Sequence, residues 1–140
     1  MVKAFVDANV LVSVLNKEYP VFTYSSRVLS LAARQDFQLY TSSLCLAIGF
    51  YFSSKKSGRE VAKKKIELLS NHLSIAPISE SAVKAAIKNP QVLDLEDGFQ
   101  NYAAIDVGCS CIITENVSDF HFTDLQVLGS EQFLTEYVFK

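Results

Sequence analysis

The chain has 140 residues, 49% of them hydrophobic and 20% charged, which is the size and balance of one ordinary domain with a full core and excludes an intrinsically disordered chain. Its longest uninterrupted apolar run, Leu44 to Phe52, covers nine residues, far short of the roughly 20 that a membrane span needs, and no basic segment leads into an apolar one at the N-terminus, so neither a membrane anchor nor a signal peptide is expected. Cys45, Cys109 and Cys111 lack metal-ligand spacing and read as reduced core residues of a cytoplasmic protein, while a net charge of -2 exerts no general attraction for nucleic acid.

In chain order, Val2 to Val6 is a β-branched and aromatic run that predicts a buried strand ending at Asp7. Asn9 is placed to cap the helix that follows through Val10, Leu11, Val14 and Leu15. Pro20 opens a second helix, in which Val21, Tyr24, Val28, Leu29 and Ala32 recur at helical spacing. Phe37 to Tyr40 predicts a second strand. Thr41, Ser42 and Ser43 offer caps for an apolar helix to about Ser54, which Ser57-Gly58 breaks before a basic amphipathic helix carrying Val61, Ile66, Leu68 and Leu69. Leu73 to Ala76 predicts a brief strand. Ser79 caps a short helix that Asn89-Pro90 ends. Leu95 to Val107 is helical in character and stops at Gly108. Cys109 to Thr114 and Leu125 to Leu128 predict two more strands, and Ser130 caps a last helix through Tyr137. Short buried strands alternating with helices imply a parallel sheet covered on both faces. With no repeat, linker or low-complexity tract, residues 1–140 read as a single α/β domain.

Charge is unevenly placed. Lys55, Lys56, Arg59, Lys63, Lys64 and Lys65 put six of the 13 basic residues into eleven positions, and Asp94, Glu96, Asp97, Asp106, Glu115, Asp119 and Asp124 put seven of the 15 acids into residues 94–124. In open parallel sheets ligands bind beyond the carboxyl ends of the strands. Asp7 closes the first predicted strand, Asp119 follows the strand at 109–114 by a short turn, and Glu96 and Asp97 open the helix before that strand. Parallel pairing can bring these carboxylates to one rim. Gathered and ionised, they repel one another unless a cation neutralises them, and oxygen ligands in a hydrated site favour Mg²⁺ or Mn²⁺. Such an ion can activate water against a phosphodiester. The plainer readings are a helix cap for Asp7 and dipole-favoured acids for Glu96 and Asp97. A phosphatase-type nucleophile turn at Asp7-Ala8-Asn9 needs a second Asp two positions on, where Asn9 stands.

Three blocks carry a resemblance. Val-Lys-Ala-Phe-Val-Asp-Ala-Asn-Val-Leu-Val from residue 2, Asp-Leu-Glu-Asp-Gly-Phe-Gln-Asn-Tyr-Ala-Ala at 94–104 and Ile-Ile-Thr-Glu-Asn-Val-Ser-Asp-Phe at 112–120 resemble, in order, the sequence blocks of the PIN-domain family. The resemblance implies a three-layer α/β/α sandwich around a short-stranded central parallel sheet. It also implies a Mg²⁺- or Mn²⁺-dependent endoribonuclease, most often the toxin of a VapC-like toxin–antitoxin pair, with RNA as substrate, a small antitoxin as partner and a homodimer as assembly. By position, Asp7, Asp97 and Asp119 match the metal-binding acids, Glu96 is an adjacent fourth acid, and Asn9, Thr114 and Asn116 match polar positions beside the site. One departure stands out: the family usually carries a glutamate early in the helix after the second strand. Here Ala47 occupies the expected place, and no acid occurs from Phe37 to Ser54. A catalytically silent module that binds RNA or protein is the alternative this departure raises. The basic run from Lys55 to Lys65 fits an RNA backbone, an acidic partner segment or a solvated helix face.

Overall fold

The computed structural model describes residues Met1–Phe139. Five strands, β1 (Val2–Val6), β2 (Phe37–Thr41), β3 (Ser74–Ile75), β4 (Cys111–Ile113) and β5 (Gln126–Leu128), form one parallel sheet in the order β3-β2-β1-β4-β5. Each falls within one residue of a predicted run or inside it, and β1, β2 and β4 are rich in the β-branched and aromatic residues that favour strands. β1 is central. Ala4, Phe5 and Val6 are fully buried, as are Cys111, Ile112 and Ile113 of β4 beside them, and such continuous apolar runs are what a sheet covered on both faces requires.

Seven helices connect and cover the strands: α1 (Ala8–Leu15), α2 (Val21–Ser30), α3 (Ser43–Ser57), α4 (Arg59–Ser70), α5 (Glu80–Lys88), α6 (Leu95–Asp106) and α7 (Ser130–Tyr137). The chain steps from β1 to β2 to β3 toward one edge, then crosses back to β4 on the far side of β1. Right-handed crossovers running in opposite directions lay their helices on opposite faces. The result is the expected three-layer α/β/α sandwich. Among the described residues no helix is long and apolar enough to cross a membrane.

Local chemistry sets most boundaries. Ser42 caps α3, its Oγ accepting from the Cys45 N–H at 3.0 Å, and Ser79 does the same for α5 through Ala82 at 3.1 Å. Gly108, at φ +82°, supplies the left-handed turn after α6. Two expected caps are corrected. α1 is capped by Asp7, whose Oδ1 accepts from the Ala8 N–H at 2.8 Å, not by Asn9. Ser130 does not cap α7 but begins it, and its N–H and Oγ both donate to the Glu115 carboxylate, at 3.0 and 2.8 Å. Glu115 therefore belongs to the frame and not to an acidic centre.

Gly98 has a packing role that helix propensity hides. α5 and α6 pack so closely that a Cβ at position 98 would lie 2.8 Å from the Ala86 Cβ and 2.8 Å from Val92 Cγ1. Glycine in a helix interior costs about 1 kcal/mol relative to alanine, so sequence alone favours Gly98→Ala. The packing reverses the sign: we expect Gly98→Ala to lower unfolding stability in urea by about 1–3 kcal/mol.

Candidate active site

The sheet reverses its direction of growth between β1 and β4, and in parallel α/β folds the crevice at that switch point, beyond the carboxyl ends of the strands, is the ligand site. The register Val6↔Ile113 sets the next residues, Asp7 and Thr114, side by side. Asp7 is 8% exposed and Thr114 fully buried. The Thr114 hydroxyl donates to Asp7 Oδ2 at 2.9 Å and accepts from Asn9 Nδ2 at 2.9 Å and from the Asn116 N–H at 3.1 Å. Its one donor and two acceptor positions are thus all used. Asn9 completes the clamp, its Oδ1 accepting from the Glu115 N–H at 3.0 Å. The first turn of α1 and the exit of β4 are thereby tied together around one buried carboxylate.

Thr114→Val keeps the shape and removes the hydroxyl. It leaves Asp7 and the Asn116 N–H short of a partner, and we expect a loss of about 1–3 kcal/mol in urea denaturation, which Thr114→Ser recovers.

A cleft of about 370 Å³ opens over Asp7. Six carboxylates line it, Asp7, Glu18, Asp94, Glu96, Asp97 and Asp119, and among the described residues no lysine, arginine or histidine does. The main predicted acids are therefore brought together. Asp97 projects from the first turn of α6, where the Asp94 side chain caps the helix by accepting from the Glu96 N–H at 3.0 Å. Asp119 lies in a 3-10 turn, Val117–Phe120, that follows β4, and its N–H is held by the Asn116 carbonyl at 3.1 Å. Asn116 lines the cleft as well, while Thr114 acts from beneath it. His121 sits in an adjoining hollow of about 180 Å³ that Asp94, Asp97 and Asp119 also line.

The electrostatics follow from this crowding. Burial pushes the Asp97 carboxyl up to about 7, and the charges of Asp7, Asp94, Asp119 and Glu96 push in the same direction. Burial also raises Asp7, with Asp119 adding to the effect, while the Ala8 N–H and the Thr114 hydroxyl oppose it. Near neutral pH the cleft is a concentration of negative charge with no internal counter-charge among the described residues. Among the described residues no three His, Cys, Asp or Glu side chains converge closely enough to enclose an ion by themselves. An all-oxygen, open and hydrated set fits Mg²⁺ or Mn²⁺, which keep several waters and take one or two carboxylates directly.

Sequence reasoning missed several residues of the site. Gln100 is 1% exposed, lines the cleft one turn after Asp97, and accepts from the Ser42 Oγ at 2.6 Å. Its i, i+3 spacing from Asp97 was the available signal. Glu18 carries no such signal, because only the fold returns the end of α1 to the cleft. On α3 the expectation is shifted by one position. Ala47 is exposed and does not line the acidic cleft, whereas Ile48 and Phe52 do, and Cys45 on the same stripe reaches Asp7 Oδ1 at 3.9 Å. Neighbouring helical positions differ by about 100° in direction, so Ile48 faces the acids. The three cysteines are buried free thiols, each pushed up to about 12, chiefly by burial.

The basic run divides. Lys56 Nζ donates to the Asn16 carbonyl, and Lys65 Nζ donates to the Leu15 carbonyl at 3.0 Å, so both cap the C-terminus of α1. Lys63 and Lys64 share a surface hollow with Glu60 and Glu67. Arg59 is exposed at the start of α4, and Lys55 lies over the Tyr51 ring.

A parallel α/β sandwich with an acidic cleft at the switch point agrees with the sequence match: the chain belongs to the PIN-domain family, which residues 3–118 match. It is 31% identical over 135 residues to "Ribonuclease VapC1" of Aquifex aeolicus (strain VF5), covering 94% of this chain and 92% of that protein. Among solved structures its fold is similar to a chain in the crystal structure of VapBC2 from Rickettsia felis bound to a DNA fragment from their promoter. There the TM-score is 0.68 at 19% identity, over 90% of this chain and 96% of that one.

Proposed function

We propose that residues 1–140 form a single PIN domain acting as a divalent-metal-dependent endoribonuclease, the toxin of a type II toxin–antitoxin pair. The observation that carries the reading is the cleft: six carboxylates and, among the described residues, no cationic side chain at the switch point of the sheet, with Asp97 pushed up to about 7. The likeness to Ribonuclease VapC1 along nearly the whole chain supports RNA as substrate, and the structural likeness to a VapBC2 chain makes a small antitoxin the natural partner. Asp7, Asp97 and Asp119 would hold Mg²⁺ or Mn²⁺, with Glu96 as the fourth acid at the cleft mouth. When bound, such an ion supplies Lewis-acid chemistry, making water reactive near neutral pH and offsetting charge that develops on the phosphate. The chain's own residues set the stage: Thr114 and Asn9 fix the Asp7 carboxylate, Asn116 holds the turn that carries Asp119, and the Ser42–Gln100 pair fixes the floor of the cleft. A homodimer is part of the same proposal and is checked by sedimentation.

One observation favours a second reading, a catalytically silent module that binds RNA or protein. The α3 position that faces the acids carries Ile48 and therefore contributes no carboxylate. The experiment is cleavage of a mixed, structured RNA pool in Mn²⁺, Mg²⁺ or EDTA, beside Asp97→Asn. Cleavage that requires metal and is lost in the variant is expected. Absence of cleavage in every condition, with no thermal shift on adding Mn²⁺, would transfer the assignment to the silent module.

A further inference from the structure

One donor at the floor of the cleft has no partner within the protein. Asp7, Asn9 and Thr114 spend their hydrogen bonds on one another, and Gln100 stands apart from them. It is 1% exposed and lines the cleft. Its Oε1 accepts from the Ser42 Oγ at 2.6 Å, and among the described residues its Nε2 donates to nothing. That nitrogen is not sealed away either: the enclosed polar side-chain atoms without partners are Asn16 Oδ1, Ser53 Oγ and Ser54 Oγ. The end of Gln100 that meets the cleft is therefore its NH2 group.

Ser42 sets that direction. Its Oγ already accepts from the Cys45 N–H at 3.0 Å, which leaves its hydroxyl proton for Gln100 Oε1. Turning the amide over would deprive Ser42 of its acceptor and set an oxygen against the carboxylates, so the hydroxyl and the acids select the same orientation. Glutamine is mostly an exposed residue, and burying one with a donor unpaired costs free energy that a methionine of similar length would not. Folding alone gives no return for it.

The missing partner is an oxygen acceptor. None of the carboxylates lining the cleft accepts from Nε2, so the acceptor comes from outside the chain. A neutral amide can donate to an anionic oxygen without neutralising the acids, which a lysine or arginine in its place would do. Gln100 stands one turn beyond Asp97 on α6, where a phosphate held over the acids would present its oxygens. We infer that Gln100 is a catalytic residue, its Nε2 donating to a non-bridging oxygen of the scissile phosphate while Ser42 holds the amide in line. A donor fixed in advance needs no reorganisation as charge shifts on the phosphate. The inference rests on the ribonuclease reading above, which brings a phosphodiester to the acids.

Two readouts test it, one of which needs no cleavage. On an RNA strand that the native chain cleaves in saturating Mn²⁺, Gln100→Met is expected to lower kcat about 10²-fold, the usual cost of one preorganised donor, with KM within about threefold. Gln100→Glu keeps the acceptor for Ser42 and removes the donor, so it should fail as methionine does. Native kcat in either variant would overturn the assignment. So would a Gln100→Met protein that binds Mn²⁺ at least about tenfold more weakly by calorimetry, since Gln100 would then support the acids and not the phosphate. The second readout is the side-chain NH2 resonance of Gln100, assigned by its absence from Gln100→Met and followed in nitrogen–proton correlation spectra of the full chain. Inorganic phosphate added in saturating Mg²⁺ is expected to shift it, and phosphate that leaves it in place would overturn the contact. A native chain that never cleaves RNA yet shows the shift sinks the ribonuclease reading and leaves the phosphate contact standing. Cleavage at the native rate by Gln100→Met sinks this inference alone.

Discussion

Asp97→Asn is expected to abolish RNA cleavage, by on the order of 10³-fold, and at the same time to make the metal-free protein more stable at pH 8. The two effects share one cause. Asp97 sits among Asp7, Asp94, Glu96 and Asp119, and burial together with those charges holds its carboxyl at about 7 against an ordinary 3.8. The sign follows from proton counting. Between about pH 4 and pH 7 the folded chain keeps a proton on Asp97 that the unfolded chain has released. The stability this contributes is fully present below pH 3.8 and is lost as pH rises through 7. The metal-free native protein is therefore expected to be more stable at pH 5 than at pH 8, and raised Asp7 adds to the trend. Asparagine carries no charge to bury, so the variant flattens the profile and gains roughly 0.5–2 kcal/mol at pH 8, about 4 °C of Tm per kcal/mol. Thermal unfolding of both proteins at the two pH values checks it. A variant less stable than the native chain at pH 8 would show that Asp97 is structural and not strained.

The same crowding predicts the behaviour of Mn²⁺. A divalent ion held there would remove the repulsion and displace the proton from Asp97, so its affinity is expected to rise with pH through about 7. The thermal shift on adding it should be larger at pH 8 than at pH 5 in the native chain and small in Asp97→Asn.

Ile48→Glu carries the second large effect. Ile48 faces the acids from α3, and a carboxylate there adds a ligand and a negative charge to an oxygen site whose affinity is set by ligand number and charge. We expect Mn²⁺ to bind about tenfold more tightly, roughly 1.4 kcal/mol, by calorimetric titration. The metal-free variant should lose stability at pH 8, because a seventh carboxylate joins six that already repel. Ile48→Gln separates ligation from charge: it should leave both quantities close to native. Ala47→Glu, one position away on the exposed side of α3, should change neither, which makes the pair a direct reading of which α3 position would meet an ion bound in the cleft. Equal gains from both substitutions would mean that the helix does not fix the direction of the side chain.

The strands were legible because a parallel sheet covered on both faces needs continuous apolar runs, and Ala4–Val6 and Cys111–Ile113 are such runs, while Phe37, Leu39 and Thr41 of β2 are buried in alternation. Ser42, Ser79 and Gly108 announced their turns because capping and left-handed backbone are decided by a few adjacent residues. Asp7, Asp97 and Asp119 were legible as a set only through three motif blocks in order, since an acid at the end of a strand is equally a cap, and Asp7 is in fact the cap of α1. Asn9 shows the limit: its preference for capping is local, but its side chain is claimed by Thr114 and Glu115, more than a hundred residues away.

By itself, then, the sequence determined the element order, the single parallel α/β layer plan and the acids around which a site could form, because hydrophobic periodicity, capping and motif spacing are properties of neighbouring residues. The tertiary structure decided which side chains meet. The switch point between β1 and β4 gathers six carboxylates, including Glu18 and Asp94, into one cleft. The rotation of α3 gives Ile48 and not Ala47 to that cleft, the approach of α5 to α6 makes Gly98 necessary, and the end of α1 takes Lys56 and Lys65 out of the basic surface. The physical reason is common to all of these. A side chain's partner, its burial and the field it feels depend on where distant segments cross, and no local pattern in a chain encodes the angle of a helix against its neighbours.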